Sequence, residues 1–217
     1  MNINIIYEDN HLLVVEKPIN IPTQEDNSKD KDLLNILKDY IKEKYNKPGN
    51  VYLGLIHRLD RPVGGVMVFA KTSKAASRLS EQVRKNEFNK IYNAVCIGKL
   101  NNEGRLEDKL LKDTKRNIVR VDNNGKQAIL NYKKLKEKDS LTLVEIKLET
   151  GRSHQIRVQM SHNKTPLFGD QKYNKNSKVG EQLALFAKKL EFYHPTTNEL
   201  MSFELDLPDR EPFVKFK

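Results

Sequence analysis

The sequence predicts an α+β protein built around a large, mainly antiparallel sheet. Two observations favour that class. Segments with the alternating or continuous apolar pattern of strands outnumber segments with the spacing of helices. Most of these strands follow one another through short turn-forming stretches such as Asp122-Asn123-Asn124-Gly125, as the strands of hairpins do.

The chain opens with a predicted β-hairpin followed by a predicted helix. Ile3 to Tyr7 and His11 to Lys17 are predicted strands on either side of the turn Glu8-Asp9-Asn10, and prolines end the second strand. Residues 32–44 place apolar side chains at the spacing of an amphipathic helix.

A buried strand and a second helix are predicted next. Residues 66–70 form a short apolar run, which is typical of a buried strand. Thr72 and Ser73 can both cap a helix that starts directly after it. The buried face of that helix is predicted to comprise Ala76, Leu79 and Val83.

The second half of the chain is predicted to be mostly strands. They are expected at residues 90–97, 116–121, 126–135, 141–149, 183–192 and 201–207. A short helix among them is expected to be capped by Ser153 and to end near Asn163. The Lys-rich stretches 99–116 and 133–140 are interpreted as loops inserted on one lobe.

The composition indicates a polyanionic partner. The chain has 39 basic and 29 acidic residues and a net charge of +10, which favours RNA or DNA. Lysine is abundant everywhere, so a lysine-rich composition is the alternative explanation. Arginine is more selective, since four of the ten arginines lie in two short segments: Arg58, Arg61, Arg152 and Arg157. Because arginine is a planar, permanently charged donor, those segments are candidate walls of an active site.

Other features narrow the class of protein. Cys96 is the only cysteine, which excludes a disulfide framework and a thiolate metal cluster. His154 and His162 are poorly spaced for metal ligands, and no metal is expected. There is no charged leader before an apolar stretch, and no apolar run approaches about 18 residues. We therefore expect a cytoplasmic monomer that does not bind membranes.

The first arginine-bearing segment surrounds Asp60. It reads His57-Arg58-Leu59-Asp60-Arg61-Pro62 and continues with Val63-Gly64-Gly65. The proline fixes one backbone angle, and the paired glycines let another backbone or a ligand approach closely. A carboxylate on a stiff turn, surrounded by positive charge, suits a reactive aspartate that meets an anionic polymer.

The second segment reads Gly151-Arg152-Ser153-His154-Gln155-Ile156-Arg157-Val158. It also lies at a strand end, beside a glycine and a predicted helix start. Helix N-termini and guanidinium groups both stabilise anions, so the segment can neutralise Asp60, bind a phosphate, or do both. A surface turn with scattered cations is the alternative.

Together the two segments resemble the signatures of the RluA family of pseudouridine synthases. Residues 57–60 are similar to the family's catalytic motif and residues 151–158 to its second signature. Weaker similarities keep the same order along the chain, at residues 7–18, 90–95, 166–173 and 183–187. The resemblance implies the pseudouridine-synthase fold, a large, mainly antiparallel mixed sheet flanked by helices and loops, with a catalytic cleft across its middle.

The resemblance also implies an activity. The enzyme would isomerise specific uridines to pseudouridine in structured rRNA or tRNA, and it would need no cofactor because the reaction involves no redox change and no phosphate energy. Asp60 would be the catalytic aspartate, and Tyr92 would stack on the uracil. Arg152 would be the ion-pair partner of Asp60, with Arg157 as the less favoured candidate. Contacts with RNA are expected from Arg58, Arg61, His154, Gln155 and Arg157.

Three of these residues have simpler alternative roles. Arg58 can fill the gap that a flipped-out base leaves in the stack, or it can contact a phosphate. Tyr92 can be an ordinary core aromatic residue of a strand. His57 can be structural and hydrogen-bond the turn.

The chain departs from the family pattern in two places. Many relatives have Thr-Ser-Gly or Thr-Thr-Gly where this chain has Val63-Gly64-Gly65. Many also carry a small N-terminal RNA-binding domain, whereas here the catalytic fold is expected to begin at residue 3 and residues 1–217 are expected to form a single catalytic domain. Recognition of the RNA would then depend on that domain.

Two other functions remain as alternatives. A non-catalytic RNA-binding protein on the same fold would need no carboxylate facing phosphates, so the set Asp60, Tyr92 and Arg152 argues against it. A metal-dependent nuclease using Asp60 and His57 would need additional carboxylates. Sensitivity to a chelator would separate the nuclease from the synthase.

Overall fold

The computed structural model describes residues 3–217, whose contacts divide into two compact units. The first unit comprises the residues up to Asn89 together with Ala187–Leu205, and the second comprises Lys90–Phe186 and Asp206–Lys217. The elements are β1 (Asn4–Glu8), β2 (Leu12–Lys17), α1 (Leu33–Lys44), β3 (Gly54–Leu55), β4 (Gly64–Ala70), α2 (Ser73–Arg84), β5 (Asn89–Ile97), β6 (Glu103–Asp113), β7 (Ile118–Val121), β8 (Lys126–Lys138), β9 (Leu141–Leu148), α3 (Gln155–His162), β10 (Leu185–Tyr193), β11 (Leu200–Glu204) and a 3-10 helix (Phe213–Phe216).

The first unit confirms the predicted N-terminal hairpin and the strand at 66–70. Its strands follow the order β1-β2-β4-β10, with β3 beside β4 and β11 beside β10. The β1–β2, β2–β4 and β10–β11 pairs are antiparallel. All seven residues of β4 are buried, which explains its continuous apolar run. The predicted α+β class with mainly antiparallel pairing is confirmed.

The helices of the first unit are capped as expected. The Asp32 side chain accepts the Asn35 N–H at the start of α1, and Thr72 rather than Ser73 accepts the Ala75 N–H at the start of α2. The buried face of α2 differs from the predicted one, since its buried residues are Ala75, Leu79 and Gln82. Ala76 and Val83 are only partly buried, at the edge of the apolar cluster formed with β2 and β4.

The second unit contains the strands in the order β5-β9-β8-β6-β7, and each neighbouring pair in this order is antiparallel. The prediction of loops at 99–116 and 133–140 was wrong, because β6 occupies most of the first stretch and β8 continues through the second. From Glu103 to Lys109 every second side chain of β6 faces solvent, and all of those positions are Lys, Arg or Glu. The dense charge hid the alternation that identifies a strand.

Glycine at position 65 is required by close backbone packing. Its φ is +124°, and a Cβ built there would lie 2.3 Å from the carbonyl oxygen of Ala187 in β10. The expectation that the paired glycines admit another backbone is therefore confirmed.

Within residues 3–217, no helix combines the length and the apolar character that a membrane span requires.

Candidate active site

The sequence-predicted residues fall into two groups, one on each unit. Asp60, Arg58 and Arg61 lie on the first unit, in the loop between β3 and β4. The second group, Tyr92, Arg152, His154, Gln155 and Arg157, lies on the second unit.

Asp60 sits at the first position of a tight turn. Its carbonyl oxygen accepts the Val63 N–H at 2.9 Å, which closes the turn over Arg61 and Pro62. The preceding carbonyl, that of Leu59, accepts the Thr23 hydroxyl at 2.8 Å. Asp60 is half-buried and Leu59 is buried beneath it.

Lys17, the last residue of β2, holds the rest of the turn. Its Nζ donates to the carbonyl oxygens of Arg61 at 3.1 Å and Val63 at 2.7 Å, and also to Pro18 at 3.0 Å. These three bonds use all the protons of the ammonium group. The side chain is 1% exposed, so it acts as an internal brace of the Asp60 turn.

Burial shifts the titration of this brace. Loss of solvent lowers the pKa of Lys17 to about 7, although the negative charge of Asp60 acts in the opposite direction and raises it. The brace and Asp60 are therefore electrostatically coupled.

The two arginines of the turn differ in their contacts. Arg58 is exposed, and its side chain has no hydrogen-bond or ion-pair partner within residues 3–217. Arg61 is also exposed, but its guanidinium pairs with Asp30 and donates to the Ser28 hydroxyl at 3.0 Å. Both can reach solvent, and the exposed Arg61 pair is weak enough to be exchanged for a phosphate.

His57 has the contacts of a structural residue. Its Nε2 accepts the Val68 N–H at 3.3 Å, and its ring packs edge-on against Phe88. These contacts favour the structural role for His57, although the hydrogen bond is to β4 and not to the turn as expected.

In the second unit, Gln155 brackets the loop between β9 and α3. Its Oε1 accepts the Thr150 hydroxyl at 2.8 Å and the Arg152 N–H at 3.0 Å, while its Nε2 donates to the Ile129 carbonyl at 3.0 Å. The side chain is buried. Because these protein groups occupy its amide, the geometry favours a bracing role for Gln155 over the expected RNA contact.

The predicted Ser153 cap of α3 was wrong. The residue before the helix is His154, which has a left-handed backbone (φ 52°) and makes no side-chain cap. The His154 Nδ1 lies 2.6 Å from the Tyr173 hydroxyl, and that hydroxyl also accepts the Val119 N–H at 2.9 Å. The start of α3 is thus linked to β7 through Tyr173.

Arg157 is held in the interior of the second unit. Its Nε donates to Asp170 Oδ2 at 2.9 Å and its Nη2 to Asp170 Oδ1 at 2.7 Å, a two-pronged pair in which both side chains are buried. The guanidinium also lies over the Tyr173 ring, 5.1 Å from its centre.

Arg152 is exposed, in contrast to Arg157. Its Nε donates to the Gln127 carbonyl at 2.9 Å, and within residues 3–217 its two terminal nitrogens make no hydrogen bond. They remain available to an anion.

Tyr92 lies in β5 opposite Ile146 of β9 and is buried. Lys90, two residues before it, is close to the second segment, since a Cβ built on Gly151 would lie 3.4 Å from the Lys90 Nζ. Burial lowers the pKa of Lys90.

Sequence reasoning missed the residues that hold the candidate site in place, namely Lys17, Thr23, Lys90, Asp170 and Tyr173. Lys17 could have been suspected, because it ends a strand whose first four residues, 12–15, are apolar and buried. Asp170 and Tyr173 lie in a segment with only a weak motif similarity. Within residues 3–217, no group of three or more His, Cys, Asp or Glu side chains is arranged to hold a metal ion.

Comparisons with known proteins agree on one family. A family model described as RNA pseudouridylate synthase matches residues 11–162. The chain is 34% identical over 223 residues to the ribosomal large subunit pseudouridine synthase D of Yersinia pestis, which covers 95% of this chain and 68% of that protein. The corresponding protein of Pseudomonas aeruginosa is 33% identical over 242 residues, covering 99% and 75%.

Two further similarities involve a less characterised relative and a solved structure. An uncharacterized RNA pseudouridine synthase of Aquifex aeolicus is 36% identical over 223 residues, covering 95% of this chain and 70% of that protein. The structure of human RNA pseudouridylate synthase domain containing 4 superposes with a TM-score of 0.80 at 23% identity, covering 95% of this chain and 89% of that one. At that identity the human structure supports the fold.

Proposed function

The chain belongs to the RNA pseudouridylate synthase family and is an RNA pseudouridine synthase; on that premise we propose that its substrate is large-subunit ribosomal RNA, that Asp60 is its catalytic carboxylate, and that residues 1–217 act as one catalytic domain. The proposed substrate comes from the names of relatives that align with nearly the whole chain. Transfer RNA is the competing substrate, and cytoplasmic action as a monomer is part of the proposal.

The reaction is an isomerisation in which atoms and electrons balance within the nucleotide and solvent. The bond between N1 of uracil and C1′ of ribose breaks, the base turns, and C5 bonds to C1′. C5 loses its proton and N1 gains one. Asp60 can assist as nucleophile, as base, or by stabilising charge on the ribose. Attack on the base, attack on the sugar and a glycal route all satisfy this balance.

The observation that carries the proposal is the fixed backbone around Asp60. Four carbonyls of the turn, those of residues 59, 60, 61 and 63, accept hydrogen bonds from Thr23, Val63 and Lys17. A group that must meet one reacting atom gains rate from such positioning, because the geometry is set before the substrate binds. A protein that only binds RNA has no need of a carboxylate held in this way.

We assign the supporting roles as follows. Tyr92 stacks on the uracil and moves the C5 proton. Arg152 pairs with Asp60 or with the phosphate of the target nucleotide, and its exposed terminal nitrogens support this role. Arg157 remains the alternative partner, although its guanidinium is already held on two sides by Asp170.

The exposed residues of both segments bind the RNA. Extruding a uridine from folded RNA costs a few kcal/mol, and Arg58, exposed beside Asp60, fills the vacated stack or contacts a phosphate. Arg61 and His154 contact the backbone. Gln155 and Arg157 act chiefly through the loop and helix that they hold.

Tritium release from ribosomal RNA labelled at uracil C5 tests the proposal. Asp60→Asn is expected to abolish release and to leave RNA affinity within several-fold, because removing a negative charge does not weaken phosphate contacts. Asp139→Asn, in the exposed β8–β9 turn, is the matched control and should release tritium as the wild type does. Near-wild-type release by Asp60→Asn would overturn the assignment.

Two further arms separate the alternatives. Tritium release from transfer RNA but not from large-subunit RNA would show that transfer RNA is the substrate. The assignment as a pseudouridine synthase would be unchanged. The reaction is expected to proceed in excess EDTA. Loss of activity on dialysis against a chelator, with recovery on addition of zinc or magnesium, would favour the metal-assisted alternative.

A further inference from the structure

The hairpin of β6 and β7, together with the turn into β8 and its first residue, carries an uneven distribution of charge. Between positions 109 and 126 there are six cations and two acids: Lys109, Lys112, Lys115, Arg116, Arg120 and Lys126 against Asp113 and Asp122. The loop that joins the strands, residues 114–117, is exposed throughout. This excess lies outside the two segments that the proposed reaction uses.

The two acids do not neutralise these cations. Asp122 pairs with Arg120, and Asp113 Oδ1 accepts the backbone N–H of Arg116. Lys109 is opposite Gln127 and projects from the other face of β6. The remaining four exposed cations, which we call the hairpin patch, are Lys112, Lys115, Arg116 and Lys126. Within residues 3–217, no acidic side chain lies within ion-pair distance of them. Near the start of β6 the cation is paired, since Arg105 forms ion pairs with both Glu107 and Glu149.

The strand register places the patch on a defined face. Lys112 is opposite Val119 and Lys126 is opposite Leu110. Directly paired residues of antiparallel strands project to the same side, and Leu110 and Val119 belong to the apolar cluster that includes Val158 of α3. Lys112 and Lys126 therefore project from the face on which α3 packs.

That face also presents the exposed end of the second segment. Val119 is linked through the Tyr173 hydroxyl to His154, as described above. The Arg152 guanidinium is anchored on the carbonyl of Gln127, the residue next to Lys126. From Lys126 to the hairpin tip the strands extend about 16 Å, at about 3.3 Å per residue over five residues.

We propose that the hairpin patch binds the sugar–phosphate backbone of the substrate RNA beside the target nucleotide, and so holds a neighbouring helical arm. This inference rests on the proposed function. Unpaired, exposed lysine and arginine side chains spread between Lys126 and the hairpin tip suit successive phosphates, which they would contact without reading sequence. The only large apolar residue exposed at the tip of this hairpin is Ile118, which gives an anionic membrane little to bind.

The test compares two variants with equal loss of charge. The first replaces Lys112, Lys115, Arg116 and Lys126 by Gln. The control replaces Lys99, Lys133, Lys138 and Lys164 by Gln, four exposed lysines of the same unit outside the hairpin patch. Binding to a fragment of large-subunit RNA is measured as a function of salt, together with kcat/KM for tritium release. The substrates are this fragment and a short stem-loop that carries the same uridine.

The patch variant is expected to weaken binding at least about tenfold and to make the slope of log K against log salt shallower by about two to four. Its loss of kcat/KM should be several-fold larger on the fragment than on the stem-loop. Equal losses in patch and control variants would overturn the inference, because the effect would then be one of net charge.

A second variant guards against misfolding. Lys115→Glu/Arg116→Glu changes only the exposed turn, where these two side chains make no hydrogen bond or ion pair within residues 3–217. It should weaken binding to the fragment in the same manner. Wild-type affinity in this variant would also contradict the inference. The proposed function fails separately, if the wild-type protein releases no tritium from the RNA.

Discussion

The two segments of the candidate site are held in place by different means. The Asp60 turn is fixed through its backbone, whose carbonyls are bound by the side chains of Lys17 and Thr23. The segment before and within α3 is fixed through its side chains, with Arg157 on Asp170 and His154 on Tyr173. A backbone brace sets where a carboxylate lies without occupying it. A side-chain brace sets the direction of a guanidinium or an imidazole, but it uses some of the hydrogen-bonding positions that this group could offer to RNA.

The side-chain brace should be the more costly one to break. Asp170→Asn removes the negative charge opposite the buried Arg157, and we expect it to lower the free energy of unfolding by about 3–5 kcal/mol. Asp39→Asn breaks the exposed pair with Lys31 and should cost less than about 1 kcal/mol. Urea denaturation of both variants measures the difference. Similar losses would show that the buried pair contributes no more than a surface one.

Breaking the backbone brace should lower stability less than breaking the side-chain brace, but it should lower activity strongly. Lys17→Met leaves three carbonyls without their donor but removes a costly buried charge, so we expect a loss of about 1–3 kcal/mol. Because Asp60 then loses its fixed position, kcat for tritium release should fall at least about tenfold. RNA affinity should change little.

The matched comparison is Lys71→Met, which removes a nearly buried lysine bound to Glu8, outside the candidate site. It should reduce stability without the fall in kcat. If Lys17→Met destabilised the protein but kept wild-type kcat, the brace would be structural alone.

The backbone brace should also have a pH signature. The folded-state pKa of Lys17 is about 7, well below its ordinary value near 10.5. Between these values the unfolded chain binds more protons than the folded one, so stability rises with pH by at most about 1.4 kcal/mol per unit. Below pH 7 both states are protonated and this contribution is constant.

The difference in unfolding free energy between wild type and Lys17→Met, measured from pH 6 to 9, should therefore move in favour of the wild type above pH 7. A difference that stays constant over this range would contradict the lowered pKa.

The smallest expected effect concerns a single hydroxyl of the side-chain brace. Tyr173→Phe keeps the ring beneath Arg157 but removes the bonds to His154 and to the Val119 N–H, and should cost about 1 kcal/mol. Tyr193→Phe, at an exposed position of β10, should change stability by less than about 0.5 kcal/mol. If thermal or urea unfolding gave the same loss of stability for both variants, the Tyr173 hydroxyl would not contribute to the brace.

The contrast between the braces also explains what the sequence could predict. Asp60 and Arg152 lie in short contiguous motifs, so their residue types and spacing alone indicated candidate chemistry. Lys17 is 44 positions from Arg61, whose carbonyl it binds, and the sequence around either residue does not indicate that contact. The same holds for Asp170, since a buried partner of Arg157 is defined by packing.

The elements were predictable where one face is clearly apolar. Residues 32–44 and 66–70 gave correct predictions because the buried positions within α1 and within residues 66–70 are apolar. In β6, charged side chains on the open face hide the alternation. The start of α3 could not be predicted because His154, rather than Ser153, precedes the helix, and it has a left-handed backbone without a side-chain cap.

Three carbonyl oxygens around one positive charge resemble the way proteins coordinate alkali ions. In this chain the ion is the ammonium of Lys17, and it is tethered to β2 by its own side chain. A tethered ion cannot be diluted or exchanged for another, although its charge depends on pH because the pKa of Lys17 is about 7. The Asp60 turn should therefore keep its shape in buffers that contain neither sodium nor potassium, where a loop that relied on a diffusible ion would loosen.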